Sequence, residues 1–227
     1  MSTAREGFFG ITGTLSIAAV DPKTGECGGA VASRYPDVGR VVVHARPGVG
    51  VFCTQHWHHP DWGELALELL SRGILPEEVL ARLLRGDKQK DKRQLAIIDM
   101  SGRAANRNPA RPSHDGEYWG AMSGKYYACQ GNTITGNEVI FAMARTYESA
   151  KGSLSDRLMM ALLAGDRAGG DHRGRLAAGI RVCKRRVKGY WLELHVDQSK
   201  DAVEELYKQY RRLKRPAIGR KKQLPPP

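Results

Sequence analysis

The stretch Thr14-Leu15-Ser16-Ile17-Ala18-Ala19-Val20 runs through Asp21-Pro22-Lys23-Thr24-Gly25 into Cys27-Gly28-Gly29-Ala30-Val31-Ala32-Ser33. Both flanks are strand-like, and the segment between them has turn chemistry: proline presets φ, and glycine accepts a left-handed conformation. The pair is therefore a β-hairpin. Thr14 opens its first strand, directly after Gly13. Taken alone, Thr14 reads most simply as a β-branched strand residue. The sharper alternative is a nucleophile. A threonine hydroxyl is weak at its free pKa, but an adjacent α-amino group titrates near neutrality and can take its proton.

Working outward, Arg40 to Ala45 and Val49 to Thr54 read as a second strand pair around Arg46-Pro47-Gly48. The period then turns helical. Leu65, Ala66, Leu69 and Leu70 follow Asp61 and stop at Gly73. Pro76 opens a second helix with Val79, Leu80, Leu83 and Leu84 on one face, closed by Gly86. Gln94–Asp99 is a strand turned back at Met100-Ser101-Gly102. Asn108–Glu117 carries two prolines and reads as a loop, and Lys125–Gln130 is a further strand. Helices are expected at Asn137–Ala150 and Ser153–Gly165, strands at Arg175–Val182 and Trp191–Val196, and a terminal helix at Lys200–Lys214. Strand runs joined by hairpins and interrupted by helix pairs predict an α+β fold with antiparallel sheets and helices on their faces.

The 227 residues suit one large domain or two small ones; no repeat or linker precedes the tail. Apolar and charged contents of 41% and 26% are ordinary for a globular protein. No stretch approaches the ~20 apolar residues of a membrane span, and the N-terminus lacks a secretory pattern. A cytoplasmic location without a membrane partner is expected. The four cysteines are widely spaced and read as reduced and mostly buried. The net charge is +12, and nine basic against three acidic residues from Lys200 onward hold half of it. Arg211 to Lys222 followed by three prolines reads as a helix end passing into a disordered basic tail. Such a tail holds polyanions weakly through counterion release; nucleic acid is not expected as a specific partner.

The loudest composition signal is His56-Trp57-His58-His59. Zinc needs ligands aimed at one point, usually from separate segments or at i, i+4 spacing. A ligand-facing loop beside a strand end is expected here, and no metal. Neither Gly48-Val49-Gly50 nor Gly169 to Gly174 leads into the helix that a phosphate cradle requires, so no nucleotide cofactor is expected. Gly169-Gly170-Asp171 is a tight turn. It either presents Asp171 and Arg173 together or uses them as a pair that stabilises the turn. Asn132 either donates to an oxyanion or serves a turn leading into the next helix.

These segments together resemble the bacterial and archaeal domain of unknown function 1028 family. The carrying residues are Thr14–Gly25, Gly29–Ser33, Gly48–Gln55, Gln130-Gly131-Asn132, Gly136–Val139 and Gly169–Arg175, and the likeness spans about Thr14 to Leu206. The resemblance implies an Ntn-hydrolase-like, four-layer αββα sandwich of two antiparallel sheets between helical layers. It implies residues 1–13 as an N-terminal extension and possible leader, 14–214 as the domain, and 215–227 as the tail. It further implies an amidohydrolase cleaving a C–N bond of a small, cyclic or peptide-like amide. Thr14 Oγ would attack after cleavage at Gly13-Thr14, with its own amine as base. Asn132 and Asp171 complete the catalytic candidates, and Ser33, Arg34, Gln55, His59 and Arg173 are the substrate-binding candidates. No cofactor is implied, and a homo-oligomer is expected. The chain departs from the family's usual pattern at His56–His59, at Arg34, where lysine is common, and at Leu176-Ala177; these bear on substrate rather than fold. Two other readings stand beside the enzyme: an unprocessed small-ligand-binding protein of the same fold, and a polyanion-associated protein using Arg211 to Lys222.

Overall fold

A computed structural model describes residues 14–59, 61–110 and 118–214. The proposed leader (1–13) and tail (215–227) lie outside the described residues, as does the second half of the Asn108–Glu117 loop. The opening hairpin forms as expected: β1 (Thr14–Asp21) pairs with β2 (Glu26–Ser33) from Thr14↔Ser33 to Asp21↔Glu26. At the turn, Asp21 Oδ1 accepts the backbone N–H groups of Lys23 and Thr24 at 3.0 and 3.3 Å, and Gly25 takes φ +72°. A side chain at that φ is strained, so glycine fits the position for a physical reason.

After β2 the elements are α1 (Val38–Val41), β3 (Val43–Arg46), β4 (Gly50–His56), α2 (Trp62–Ser71), α3 (Pro76–Leu84), β5 (Arg93–Asp99) and β6 (Ala104–Arg107). They continue with β7 (Tyr118–Gly124), β8 (Tyr127–Ile134), α4 (Asn137–Ser149), α5 (Leu154–Arg167), β9 (Ala177–Cys183), β10 (Tyr190–Val196) and α6 (Ala202–Lys214). A six-stranded sheet has the order β10-β9-β2-β1-β8-β7, a four-stranded sheet the order β3-β4-β5-β6, and all these pairings are antiparallel.

Three apolar clusters hold the layers. Leu15, Ile17 and Ala19 of β1 pack with Met143 of α4, Leu158 and Leu162 of α5, and Leu206 of α6. The alternate residues Ala18 and Val20 face the other sheet, where Val51, Cys53, Ala96 and Ile98 meet them. Beyond that sheet, Phe52, Leu95 and Ile97 pack on Trp62, Leu67, Val79 and Leu83 of α2 and α3. Helices thus cover the outer face of both sheets, and period-2 alternation sends each strand's side chains to two different cores. The close fit of α5 is visible at Gly165, where a Cβ would lie 2.5 Å from Met143 Cγ and 3.1 Å from Leu15 Cδ1. All four cysteines are free and buried.

Four elements differ from the expectation. Arg40 and Val41 belong to the single turn α1 rather than to a strand; Asp37, at φ 58°, swings the chain from one sheet to the other, and Val38 and Val42 fill the inter-sheet core. β6 and β7 are additional strands, short or half-exposed, without a clear apolar alternation. β8 runs on to Ile134, so Asn132 is a buried strand residue rather than part of a turn.

Three outcomes follow. Ile98, fully buried between the sheets, should cost about 2–5 kcal/mol of unfolding free energy as Ile98→Ala, measured by urea denaturation. Leu65→Ala at an exposed site should stay within about 0.5 kcal/mol. Asp156 closes the capping box of α5 with Ser153 and also accepts Tyr210 Oη at 2.5 Å and Lys214 Nζ at 3.1 Å from α6. Burial works to raise its pKa, but hydrogen bonds from Ser153, Tyr210 and Lys214 outweigh it and hold the carboxyl at about 2, below its ordinary 3.8. A depressed carboxyl stabilises the fold above its unfolded value and loses that contribution as pH falls through the folded one. Acid titration of stability between pH 4 and 2 should therefore be steeper in the wild type than in Asp156→Asn.

Candidate functional site

The layer between the sheets is apolar at one end and polar at the other. Along β1 the inward residues read Thr14, Ser16, Ala18, Val20. Along β8 they read Asn132, Gln130, Ala128, and on β2 Ser33 precedes Val31 from the same end. The facing sheet repeats the pattern with Gln55, Cys53, Val51 on β4 and Gln94, Ala96, Ile98 on β5. Antiparallel register brings the polar ends together: Thr14 lies between Ser33 and Asn132, Ser16 opposite Gln130, and Gln55 opposite Gln94. All seven side chains are fully buried. Burying this many polar groups is tolerated only where they bond to one another.

Their hydrogen bonds have one consistent direction. Gln94 Nε2 donates to the Gly131 carbonyl at 2.8 Å and to Asn108 Oδ1 at 3.0 Å, which leaves Gln94 Oε1 as an acceptor. That oxygen receives Gln55 Nε2 at 2.7 Å and Asn132 Nδ2 at 2.8 Å. Gln55 Nε2 also reaches the Thr14 carbonyl at 3.3 Å, and Gln55 Oε1 accepts Ser16 Oγ at 2.6 Å. The Thr14 hydroxyl donates to Ser33 Oγ at 3.2 Å, and the Tyr35 N–H donates to that same oxygen at 3.0 Å. Asn132 Oδ1 and both amide atoms of Gln130 make no hydrogen bond among the described residues.

Gln55 and Asn132 are each followed by a residue in the left-handed region, His56 at φ 65° and Thr133 at φ 51°. For a β-branched residue this is a true outlier, and such strain, of order 1–3 kcal/mol, collects at functional sites. Thr133 is held there by its carbonyl, which accepts the His172 N–H at 3.0 Å and lies 2.8 Å from His172 Nδ1. Cys53 sits two residues inward of Gln55, but burial pushes its thiol to about 12, so it carries no thiolate at neutral pH.

A second group adjoins the first. Asp171 is buried, bridges to Ile134, and accepts Arg173 through the backbone N–H at 3.0 Å, Nε at 3.0 Å and Nη2 at 2.8 Å. Arg34 Nη1 donates to the Arg173 carbonyl at 2.9 Å, and the Leu176 N–H donates to the Ser33 carbonyl at 2.9 Å. Thr14, Ser33, Gln55 and Asn132 are thus one constellation, and Arg34, Asp171 and Arg173 form another beside it. His59 is placed against α2, its ring stacked on Trp62 at 4.9 Å and its N–H bonded to Thr54 Oγ1. His56 Nδ1 lies 2.7 Å from the Lys92 carbonyl, and burial, helped by Arg93, pushes the His58 imidazole pKa down. The histidine run thus meets several separate neighbours.

Gln94, Ser16, Asn108 and Gln130 join the cluster without having been named as site residues, Ser16 and Gln130 standing only among the residues that carry the family likeness. Their signal was period 2: Ser16 and Gln94 stand on the same strand faces as Ala18 and Ile98, positions otherwise apolar.

No curated protein matches the chain. A solved structure that does is the crystal structure of protein SPO2555 from Silicibacter pomeroyi, described as belonging to DUF1028. It shares 26% identity with a TM-score of 0.80, over 90% of each chain. The family model described as "Family of unknown function (DUF1028)" matches residues 14–206, and the chain belongs to that family.

Proposed function

We propose that the protein is an Ntn-type amidohydrolase that cleaves the C–N bond of a small, cyclic or peptide-like amide, with Thr14 as nucleophile. The observation that carries this reading is the hydrogen bond from the Thr14 hydroxyl to Ser33 at the head of a central strand, between Ser33 and Asn132. The two-sheet arrangement with helices outside supports it, being the layering of that superfamily.

In this reading residues 1–13 are a leader, and cutting the Gly13-Thr14 bond converts the Thr14 nitrogen into an α-amine. That amine, with an ordinary pKa of about 7.7–8.0, takes the hydroxyl proton as Oγ attacks the carbonyl. Asn132 Nδ2 has a second N–H besides the one on Gln94, and with backbone N–H groups it supplies the oxyanion donors. Collapse of the tetrahedral intermediate breaks the C–N bond. The proton passes from the amine to the leaving nitrogen, and an ester remains on Thr14 until water hydrolyses it. Ser33 orients the hydroxyl, and Gln55 holds the Thr14 carbonyl. Asp171 acts by positioning Arg173, while Arg34, Arg173 and His59 serve the substrate. A cytoplasmic homo-oligomer is the setting this reading expects.

One observation favours the unprocessed ligand-binding alternative: Thr14 is fully buried in the whole chain. Intact mass of the purified protein separates the two. The hydrolase reading expects a mature chain beginning at Thr14 and turnover on an amide panel. Thr14→Ala should remain whole and lose about 10³-fold or more in rate. A homogeneous, active protein that retains Met1 removes Thr14 from the chemistry.

A further inference from the structure

One residue beyond Ser33, the surface opens into a cleft of about 240 Å³ lined by Arg34, Arg173, Gly174, Arg175, Leu176 and Lys200. Four of its six lining residues are cations. Two of them are held by buried acids, Arg173 by Asp171 and Arg175 by Asp166. Arg34 and Lys200 have no acidic partner among the described residues, so the cleft carries an excess of positive charge. Its shape is fixed from below, because Arg34 is tied to the Arg173 carbonyl and Leu176 to the Ser33 carbonyl. Arg34 spends one of its five N–H donors on that tie; a guanidinium fork matches a carboxylate through two parallel hydrogen bonds.

We propose that this cleft receives a carboxylate of the substrate, so that the substrate is an anionic amide of the N-acyl amino acid or short-peptide class. The inference rests on the reading of Thr14 as nucleophile. The cleft adjoins the Thr14–Ser33 pair through the chain itself: its lining residue Arg34 directly follows Ser33, and its lining residue Leu176 donates to the Ser33 carbonyl. The small volume suits a carboxylate and its α-carbon and excludes the long groove that a nucleic-acid backbone needs.

The test uses the purified full-length gene product with its intact mass recorded. Calorimetric titration compares levulinate, a carboxylate whose ketone is not cleaved as an amide, with its neutral methyl ester and with inorganic phosphate. Levulinate should bind at least about 10-fold more tightly than the ester, weaken with added salt, and lose that advantage in the Arg34→Ala/Lys200→Ala double variant. Both positions are exposed, so the variant should keep its melting temperature, which is measured alongside. Equal binding of acid and ester, an advantage that survives the double substitution, or tighter binding of phosphate than levulinate overturns the carboxylate cleft. The two readings separate cleanly. An active protein processed at Thr14 that shows no preference for levulinate loses the cleft alone. A protein that binds levulinate through Arg34 yet stays whole and inactive loses the nucleophile alone.

Discussion

The side chain of Gln94 crosses from the four-stranded sheet to the six-stranded one, and its Nε2 donates to the backbone carbonyl of Gly131. A carbonyl only accepts, so this bond fixes which end of the Gln94 amide is oxygen. The choice then propagates. Gln55 and Asn132 must present nitrogen to Gln94, and Gln55 must present oxygen to Ser16. The same bond joins the two sheets at the polar end of the layer between them. In a layer shielded from water an unmade bond of this kind costs about 1–3 kcal/mol, so the chain of amides behaves as one unit.

The arrangement also explains why one sandwich has two characters. Toward Val20, Val51 and Ile98 the sheets adhere by burial of aliphatic surface. Toward Thr14, Gln55 and Gln94 they adhere by directed bonds between uncharged groups. The charged residues stand next to that region rather than in it, with Asp171 and Asp166 each held by an arginine. A neutral, buried interior thus stands beside a basic rim.

Much of this was legible in the chain. The hairpin at Asp21–Gly25 and the paired helices after Asp61 and Pro76 followed from turn and helix-boundary chemistry acting over a few residues. Thr14, Ser33, Gln55 and Asn132 were named only through likeness to a family, within a wider set that also held Arg34, His59, Asp171 and Arg173. What stayed hidden depends on partners distant in sequence. β7, with Gly120, Met122 and Ser123, is a strand because β8 pairs with it, not because its own residues alternate. The single turn α1 exists because the chain must change sheets after Asp37. Gln94 looked like the polar margin of the apolar strand Leu95–Ile98, and its role appears only once Gly131 lies opposite.

The strand order β9-β2-β1-β8 has a consequence in time. Thr14 acquires its neighbours from residues near 33, 55 and 132, and the turn at 169–174, which meets Thr133 through His172, follows α5 in the chain. Closing the loops for pairings this distant in sequence carries an entropic cost that slows folding. A chain emerging from the ribosome therefore holds its first strand ready but incomplete for most of its synthesis. The polar cluster is complete only once the strand carrying Asn132 has joined β1.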